Sequence, residues 1–326
     1  MEKTHRAPIL MTLLAMLLLA GCHARVTGLS MGTTYAIEAD CPDGIPKERV
    51  EHVLARVNRL MSTYEPESEI SRFNRLPVGV SFAVSPETVD VVAAARRVAE
   101  QTGGAFDPTV APLVALWGFG ADAAERPPTE VERRAAAETV DFRRVEHGHA
   151  PPSLRKLAPV MLDLSAIAKG YAVDRLAKVL DESGCVAYLV ELGGEIRAKG
   201  SARGGGAWRI GVDAPAARGF ASTIALRRGG LATSGDYRQY RELDGERLSH
   251  VIDPRTGRPI RHDVASVTVV AYQAMFADAY ATALLVMGED EGRRFAEDNG
   301  LAALFILRRG EGFEIVPSAA MRDYLR

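Results

Sequence analysis

The sequence predicts an α+β fold in which mixed or antiparallel sheets are flanked by helices. Several segments carry apolar residues at helical spacing, and residues 186–271 form short apolar segments separated by Gly-rich turns. Helices combined with consecutive strands are typical of this fold class. The length of 326 residues would allow one domain or two. Because there is no repeat, low-complexity linker or clean boundary, we expect a single compact domain over residues 22–326.

Helices are predicted where apolar residues recur every three or four positions and terminal residues mark the ends. The first is residues 46–61, and the second starts at Ser85-Pro86 and ends at Gly103-Gly104. A third follows residue 164 and stops at Gly184. The fourth is residues 274–287, stopped by Gly288. Residues 121–159, rich in Ala, Pro, Arg and Glu, are predicted to form a peripheral helix and loops.

Strands are predicted from short apolar or alternating segments bounded by turn residues. These segments are residues 33–39, 160–164, 186–191, 195–199, 207–212, 222–228 and 266–271. A short helix, two strands and a tail are expected after residue 288.

The N-terminus has the features of a targeting segment. Lys3 and Arg6 precede an apolar stretch, residues 9–20, that is too short to span a bilayer comfortably. The stretch ends in Leu19-Ala20-Gly21-Cys22, which resembles the bacterial lipobox. We therefore expect residues 1–21 to be a lipoprotein signal peptide and Cys22 to carry lipid on the periplasmic side of a membrane, with the inner membrane favoured. The alternative is an ordinary signal peptide with a chance cysteine.

Charge and cysteine content narrow the function classes. A formal net charge of -2 argues against a nucleic-acid binder, which usually shows a basic face. Cys41 and Cys185 could pair in an oxidising compartment, but their spacing leaves a free buried cysteine equally open. The sequence contains no CxxC or Cys/His cluster, so a zinc site is disfavoured.

Asp278 and Thr282 are four positions apart on a predicted helix and therefore share one face. A carboxylate and a hydroxyl are hard oxygen donors that suit Mg²⁺. The alternative is that Asp278 compensates the helix dipole while Thr282 bonds to its own backbone.

The segment Asp163 to Gly170 joins a predicted strand to a helix. Such a junction offers free backbone N–H groups to an anion, and carbonyls at the bend could bind a cation. Lys169 could face a phosphate or a carboxylate. The alternative is that Asp163 or Ser165 is a plain helix cap.

His250 stands just before the turn-forming sequence Asp253-Pro254-Arg255-Thr256-Gly257. It could act as a general base, or it could be an incidental histidine on a surface hairpin. Tyr64, at the end of a predicted helix, could stack on an aromatic ligand or simply pack. The small residues at 103–105 would let a ligand approach the backbone.

Each motif is weak alone, but their order along the chain is specific. In order they are the lipobox, Met31 to Thr33, Ser62 to Tyr64, Ser71 to Asn74, Gly104 to Pro108, Asp163 to Gly170, Glu191 to Gly194, Thr233 to Asp236, His250 to Pro254 and Ala277-Asp278. This series resembles the ApbE family, the FAD:protein FMN transferases, over nearly the whole mature chain. The resemblance implies an ApbE-like, T-fold-related domain.

The resemblance also implies site residues. The positions that would contact FAD are Met31, Tyr64, Ala105, Phe106, Asp107, Asp163, Lys169 and Val251. Ala166 would bind Mg²⁺ through its carbonyl, with side-chain oxygens from Asp278 and Thr282. Some relatives have an acid where this chain has Ala281, so the metal site would have one carboxylate fewer. Lys169 stands where some relatives have an acid.

The implied reaction is attack of an acceptor threonine or serine hydroxyl on the FMN-side phosphorus of FAD, with AMP leaving. His250 would be the base, and Asp278 would hold the metal. The implied partners are exported flavoproteins, such as subunits of ion-pumping NADH:quinone or ferredoxin-linked reductases. Two alternatives stay open: an FAD pyrophosphatase that gives FMN and AMP, and a non-enzymatic flavin-binding lipoprotein.

Overall fold

A computed structural model describes residues 22–120, 124, 126–215, 219–237, 240–243 and 246–325. The predicted signal peptide, residues 1–21, lies outside the described residues. The helices within the described part are Lys47–Met61 (α1), Glu69–Arg75 (α2), Pro86–Gln101 (α3), Ala111–Leu116 (α4), Glu130–Ala137 (α5), Ser165–Glu182 (α6) and Ala274–Asp298 (α7). Short 3₁₀ helices occupy Phe142–Arg144 and Ala320–Tyr324.

The strands follow the chain in this order: Cys22–Ser30 (β1), Thr33–Cys41 (β2), Ser81–Ala83 (β3), Val145–His149 (β4), Pro152–Lys156 (β5), Ala187–Leu192 (β6), Glu195–Lys199 (β7), Trp208–Asp213 (β8), Phe220–Leu226 (β9), Arg228–Gly235 (β10), Tyr240–Leu243 (β11), Glu246–Ser249 (β12), Ile252–Asp253 (β13), Arg258–Pro259 (β14), Val264–Ala271 (β15), Ala302–Arg309 (β16) and Gly312–Pro317 (β17).

One eight-stranded sheet organises the molecule. Its strand order is β1-β2-β6-β7-β10-β15-β16-β17, and every neighbouring pair is antiparallel. Smaller sheets are formed by β3-β5-β4 and by the pairs β8-β9, β11-β12 and β13-β14. The predicted α+β class with antiparallel sheets flanked by helices is therefore confirmed.

Both faces of the sheet are buried around its central strands. On β16, Phe305 and Leu307 belong to the apolar core beneath α7, whereas Leu304 and Ile306 belong to the core shared with the β8-β9 hairpin. This alternation is what a strand produces when both of its faces are covered. A third core joins α1, α3 and α6 to β2 and β6. Helix α7 is therefore held against the sheet, and its polar residues are placed by that packing.

The four predicted helices correspond to α1, α3, α6 and α7. The expected stop at Gly288 is a kink inside α7, where the backbone takes φ 79°, and helical structure then continues to Asp298. Only glycine adopts this left-handed conformation at little cost. A Cβ at this position would also lie 2.9 Å from the ring of His262.

The predicted strand at residues 160–164 is wrong. The side chains of Val160, Leu162 and Leu164 are buried, but the segment pairs with no strand in the described part of the chain. Instead, the Asn74 side chain satisfies its backbone: Nδ2 donates to the Leu162 carbonyl (2.8 Å) and Oδ1 accepts from the Leu162 N–H (2.8 Å). The Asp163 N–H donates to the Pro108 carbonyl (2.7 Å), so the segment's backbone is satisfied by a side-chain amide and a loop carbonyl and not by a neighbouring strand.

Other predictions need smaller corrections. Residues 121–159 contain α5, as expected, but also β4 and β5. The predicted strand at 222–228 is the end of β9 followed directly by β10. Strand β1 was not predicted at all.

Cys41 and Cys185 form a disulfide that links the end of β2 to the segment after α6. The alternative of two free cysteines is therefore wrong. Among the helices of the described residues, none combines the length and apolar character needed to cross a membrane.

Candidate active site at the start of two helices

Asp174 on α6 fixes the start of α7. Its two carboxylate oxygens accept hydrogen bonds from the backbone N–H groups of Ala274 and Met275, both at 3.0 Å. Arg197 Nε lies 3.4 Å from Asp174 Oδ1. The helices approach so closely that a Cβ on Gly170 would lie 2.4 Å from the Ala274 carbonyl oxygen. The first turns of α6 and α7 are therefore held in one relative position.

Asp278 lies on α7 where that helix meets α6. Its side chain is buried, and its Oδ2 accepts a hydrogen bond from the Gly170 N–H at 3.1 Å. Burial raises the pKa of the Asp278 carboxyl, while the charge of Lys169 and the bond from Gly170 act in the opposite direction. This carboxylate is thus removed from water but oriented by the opposite helix.

Ala166 interrupts the first turn of α6. Its backbone takes φ -90° and ψ 17° instead of helical values, which turns its carbonyl away from the regular direction along the helix axis. Asp163 stabilises the entry to this turn, because its Oδ1 accepts from the Ser165 N–H at 2.8 Å. The N-cap of α6 is Leu164 and no side chain of the described residues caps the helix, so the alternative of Asp163 or Ser165 as a plain helix cap is wrong. The Asp163 carboxylate is instead partly occupied by the turn that precedes the helix.

Thr282 follows Asp278 by one helical turn. Its hydroxyl lies 2.9 Å from Ser234 Oγ on β10. If Thr282 donates this hydrogen bond, both lone pairs of its oxygen remain available for a ligand. Ala281 instead points into the apolar core under α7 and is completely buried. Its methyl group offers no oxygen donor, so the side chain at this position has nothing to give a cation.

Lys169 forms an ion pair with Glu195 Oε1 at the start of β7. The Glu195 side chain is only 4% exposed, and its Oε2 is buried without a hydrogen-bond partner among the described residues. Burial and the neighbouring Asp278 raise the pKa of Glu195 to about 8, although Lys169 lowers it. Two buried carboxylates therefore lie around one lysine ammonium.

These donors fit a small hard cation. The Ala166 carbonyl, the Asp278 carboxylate and the Thr282 hydroxyl are all oxygen ligands of the kind that Mg²⁺ prefers, and Mg²⁺ keeps several waters. The buried Glu195 oxygen without a partner is a further sign of uncompensated negative charge. Across the described residues, no group of three or more His, Cys, Asp or Glu side chains is placed to hold a metal ion. A cation here would rely on backbone and hydroxyl oxygens and on bound phosphate or water.

A cleft of about 420 Å³ lies beside the predicted flavin motifs. Its lining includes Gly103, Gly104, Asp107, Phe142, Pro254 and Arg255. It therefore joins the loop after α3 to the loop after His250, two motifs that are far apart in sequence. Its volume is within the range of small-molecule sites.

Asp107 has a structural part in this cleft. Its Oδ1 accepts from the Thr109 N–H (2.7 Å) and Oγ1 (2.6 Å), and its Oδ2 accepts from the Phe142 N–H (3.1 Å). Burial raises its pKa, and these hydrogen bonds oppose the rise. The adjacent Ala105 and Phe106 are buried. The carboxylate thus shapes the loop, so a flavin would meet the loop mainly through backbone and apolar surface.

The side chains of Met31 and Tyr64 differ in their exposure to solvent. Met31 is a non-glycine residue with positive φ, 49°, in the turn between β1 and β2, and its side chain packs partly on the core. Tyr64 follows α1 and is 71% exposed. An aromatic ring this open is available for stacking on a planar ligand.

The His250 loop is tied to α7. The His250 ring lies edge-on to Phe119, with ring centroids 6.3 Å apart. Val251 is fixed by its backbone, since its N–H donates to Ser249 Oγ (3.1 Å) and its carbonyl accepts from Ile260 (3.0 Å). Arg255 then bridges Asp253 on β13 to Glu291 on α7. This loop is therefore held in a fixed position against α7 and Phe119.

Sequence reasoning missed Glu195, Asp174 and Ser234 as parts of this site. One signal was present: Glu195, Arg197 and Lys199 alternate with apolar residues and therefore share one face of β7. These three side chains pair with Lys169, Asp174 and Asp181 on α6. A charged strand face opposite a helix with complementary charges could have suggested the contact.

Comparisons with known proteins point to one family. The ApbE family model matches residues 31–305. An FAD:protein FMN transferase of Vibrio cholerae is 42% identical, covering 97% of this chain and 98% of the relative, and one of Haemophilus influenzae is 40% identical, covering 91% and 90%. Among solved structures, flavin transferase ApbE from Vibrio cholerae matches with TM-score 0.85, 41% identity and coverage of 94% and 100%. The apo form of Pseudomonas stutzeri flavinyl transferase ApbE matches with TM-score 0.86, 37% identity and coverage of 94% and 97%.

Proposed function

This chain belongs to the ApbE family and is an FAD:protein FMN transferase, and we propose that it joins FMN to a threonine or serine hydroxyl of its acceptor, with Mg²⁺ and with release of AMP. The observation that carries the proposal is the contact of α6 with α7 at Gly170 and Asp278. Because Ala166 lies one helical turn before Gly170, that contact supports a shared site of the Ala166 turn with Asp278 and Thr282.

The residues around this contact would bind and orient the pyrophosphate. Bound Mg²⁺ would neutralise negative charge on the phosphate oxygens. Ala166, Asp278 and Thr282 would hold the ion, and Asp278 would then not be free to act as a base. Tyr64 would stack on the flavin ring, and the loop containing Ala105 and Phe106 would support it. This positioning supplies the in-line geometry that phosphoryl transfer needs.

His250 is the proposed general base. The acceptor hydroxyl oxygen forms a bond to the FMN-side phosphorus, the bond from that phosphorus to the bridging oxygen breaks, and AMP leaves with that oxygen. The imidazole accepts the proton from the attacking hydroxyl. Its fixed position against Phe119 and beside β13 supports this assignment.

We expect His250→Ala to slow FMN transfer by about 100-fold, because general-base catalysis commonly contributes at least that much. FAD affinity, measured by quenching of flavin fluorescence, is expected to stay within a few-fold of the parent. A loss of FAD binding with unchanged turnover of the bound complex would assign His250 to substrate binding instead.

Product analysis tests the reaction itself. The mature protein is incubated with FAD, Mg²⁺ and an acceptor carrying a Ser/Thr-Gly-Ala-Thr stretch, and products are followed by mass spectrometry. We expect FMN on the final threonine and an equal amount of AMP, with no adduct when that threonine is alanine. Free FMN and AMP without an adduct would identify a pyrophosphatase. If FAD is recovered unchanged, the protein is a flavin-binding lipoprotein without this enzymatic activity.

We also propose that the protein works outside the cytoplasm, anchored by lipid on Cys22 to the periplasmic side of the inner membrane. The Cys41–Cys185 disulfide supports an oxidising compartment. Acceptors would then be exported flavoproteins, such as subunits of ion-pumping NADH:quinone or ferredoxin-linked reductases. Cys22→Ser is expected to move the protein from the membrane fraction to the soluble fraction with transfer activity retained. Continued membrane association would place the anchor elsewhere.

A further inference from the structure

We propose that Glu195 supplies a second carboxylate to the cation site beside Asp278. This inference rests on the proposed function, because it concerns the same cation. It assigns a role to a residue outside the oxygen donors named above.

The first argument is the placement of the Glu195 carboxylate. The side chain begins β7, directly after the tight Gly193-Gly194 turn, and is almost fully buried. One oxygen, Oε1, accepts from Lys169, whereas Oε2 is buried with no hydrogen-bond partner within the described part of the chain. Buried carboxylate oxygens without partners are rare, and each one needs a physical reason.

The second argument is charge. Asp278 is close enough to Glu195 to disfavour the charge of the Glu195 carboxylate, and Lys169 interacts with both carboxylates. Two buried carboxylates with one ammonium leave negative charge uncompensated, which a low-dielectric interior tolerates poorly. A divalent cation at Asp278 would remove this imbalance and give Oε2 a partner of opposite charge, directly or through a bound water.

The third argument comes from the other ion pairs between β7 and α6. In Arg197–Asp174 and Lys199–Asp181, the strand supplies the base and the helix supplies the acid. At Glu195 this order is reversed, so a strand carboxylate is added on the side where α7 brings Asp278. Of the three pairs, only Glu195–Lys169 has its acid on the strand, and this pair lies at the end of β7 next to the proposed cation site.

The test measures cation binding without turnover. We would determine Mn²⁺ affinity by electron paramagnetic resonance, and Mg²⁺ affinity by calorimetry, for the mature protein saturated with FAD. Glu195→Gln keeps the side-chain shape and is expected to weaken binding of both ions by roughly 10- to 100-fold. The matched control is Glu87→Gln, which removes a carboxylate from a different ion pair, Arg56–Glu87, and should bind both ions like the parent. Parent-like affinity of Glu195→Gln would overturn the proposal.

A double variant distinguishes two roles of Glu195, as a ligand of the cation or only as the ion-pair partner of Lys169. Lys169→Met combined with Glu195→Gln removes both charges of the pair and so avoids a buried unpaired ammonium. We expect Mn²⁺ binding to remain weak in this variant. Parent-like binding would mean that Glu195 only neutralises Lys169, which contradicts the proposal. Thermal unfolding with and without Mg²⁺ confirms that each variant is folded.

Asp278→Ala distinguishes failure of this inference from failure of the proposed function. If Asp278→Ala loses Mn²⁺ binding while Glu195→Gln keeps it, the cation site stands and only the role of Glu195 is wrong. If Asp278→Ala also binds Mn²⁺ like the parent, the cation site itself is misplaced.

Discussion

The two ends of α6 carry the same kind of ion pair in different surroundings. At the inner end, Lys169 pairs with a glutamate that is 4% exposed, next to the buried Asp278. At the outer end, Asp181 pairs with Lys199 at 2.7 Å, with side chains 48% and 28% exposed. Exposed pairs typically contribute 1 kcal/mol or less, roughly, while buried charges cost free energy unless something compensates them. The buried charges at the inner end therefore indicate a ligand-binding site. The exposed charges at the outer end need no ligand to compensate them.

The outer end has a different source of stability. The Cys41–Cys185 disulfide closes a loop between residues 144 positions apart in sequence. Cross-links of this kind commonly contribute about 2–4 kcal/mol. The stability of the outer end therefore depends little on its charges, which makes it a suitable reference for changes at the inner end.

The largest effect is expected at the inner end itself. Asp278→Ala should reduce FMN transfer by roughly 1000-fold, since it would remove the carboxylate that holds the ion neutralising the phosphates. The protein should still fold, because losing the desolvation cost of a buried carboxylate offsets part of the cost of leaving the Gly170 N–H without its acceptor. Transfer is measured by mass spectrometry over a range of Mg²⁺ concentrations, with Asp278→Asn, which preserves the shape, as the companion variant. If FMN transfer persists after the metal has been chelated, the residues at the inner end of α6 do not act through a bound metal ion.

The second-largest effect is expected at Asp174, midway along α6. Here the substitution should change the stability of the fold and not the transfer chemistry directly. Asp174→Ala leaves the Ala274 and Met275 N–H groups without their acceptor and removes the partner of Arg197. We expect the free energy of unfolding to fall by about 2 kcal/mol, measured in urea. Asp174→Asn, which keeps one acceptor oxygen, should lose less. Equal stability of both variants and the parent would mean that α7 is positioned by apolar packing alone.

The smallest effect is expected at the partly buried surface pair Arg56–Glu87, where Arg56 lies on α1 and Glu87 on α3. The hydrogen bond from Arg56 lowers the pKa of Glu87 below its usual 4.5. The unfolded chain then takes up a proton at a higher pH than the folded chain, so the pair stabilises above pH 4.5, and this contribution is lost as pH falls through the folded-state pKa. Glu87→Gln should cost about 0.5 kcal/mol at neutral pH and nothing in acid. A difference that grows as pH falls would contradict this.

Local patterns in the sequence predicted the helices and most strands. The spacing of Asp278 and Thr282 predicted that both lie on one face of α7. The non-helical backbone of Ala166 inside α6 was not predicted. The contacts of Asp174 and Glu195 were not predicted, because they depend on the packing of α6 against β7, which are distant in sequence, and the complementary charges of the two elements were the only local signal. The predicted strand at residues 160–164 failed for the same reason, since the side chain of Asn74 satisfies its backbone.

The register of β1 has a mechanical consequence for an anchored protein. Cys22 pairs with Cys41 at the very start of the sheet, and Cys41 is bonded covalently to Cys185. A lipid on Cys22 would therefore join the bilayer to the sheet without a swinging tether. Strand β1 has nine residues and therefore eight steps of ~3.4 Å, so it spans about 27 Å before the turn at Met31. The enzyme would stand at a fixed height, and an acceptor would have to present its threonine at that level above the membrane.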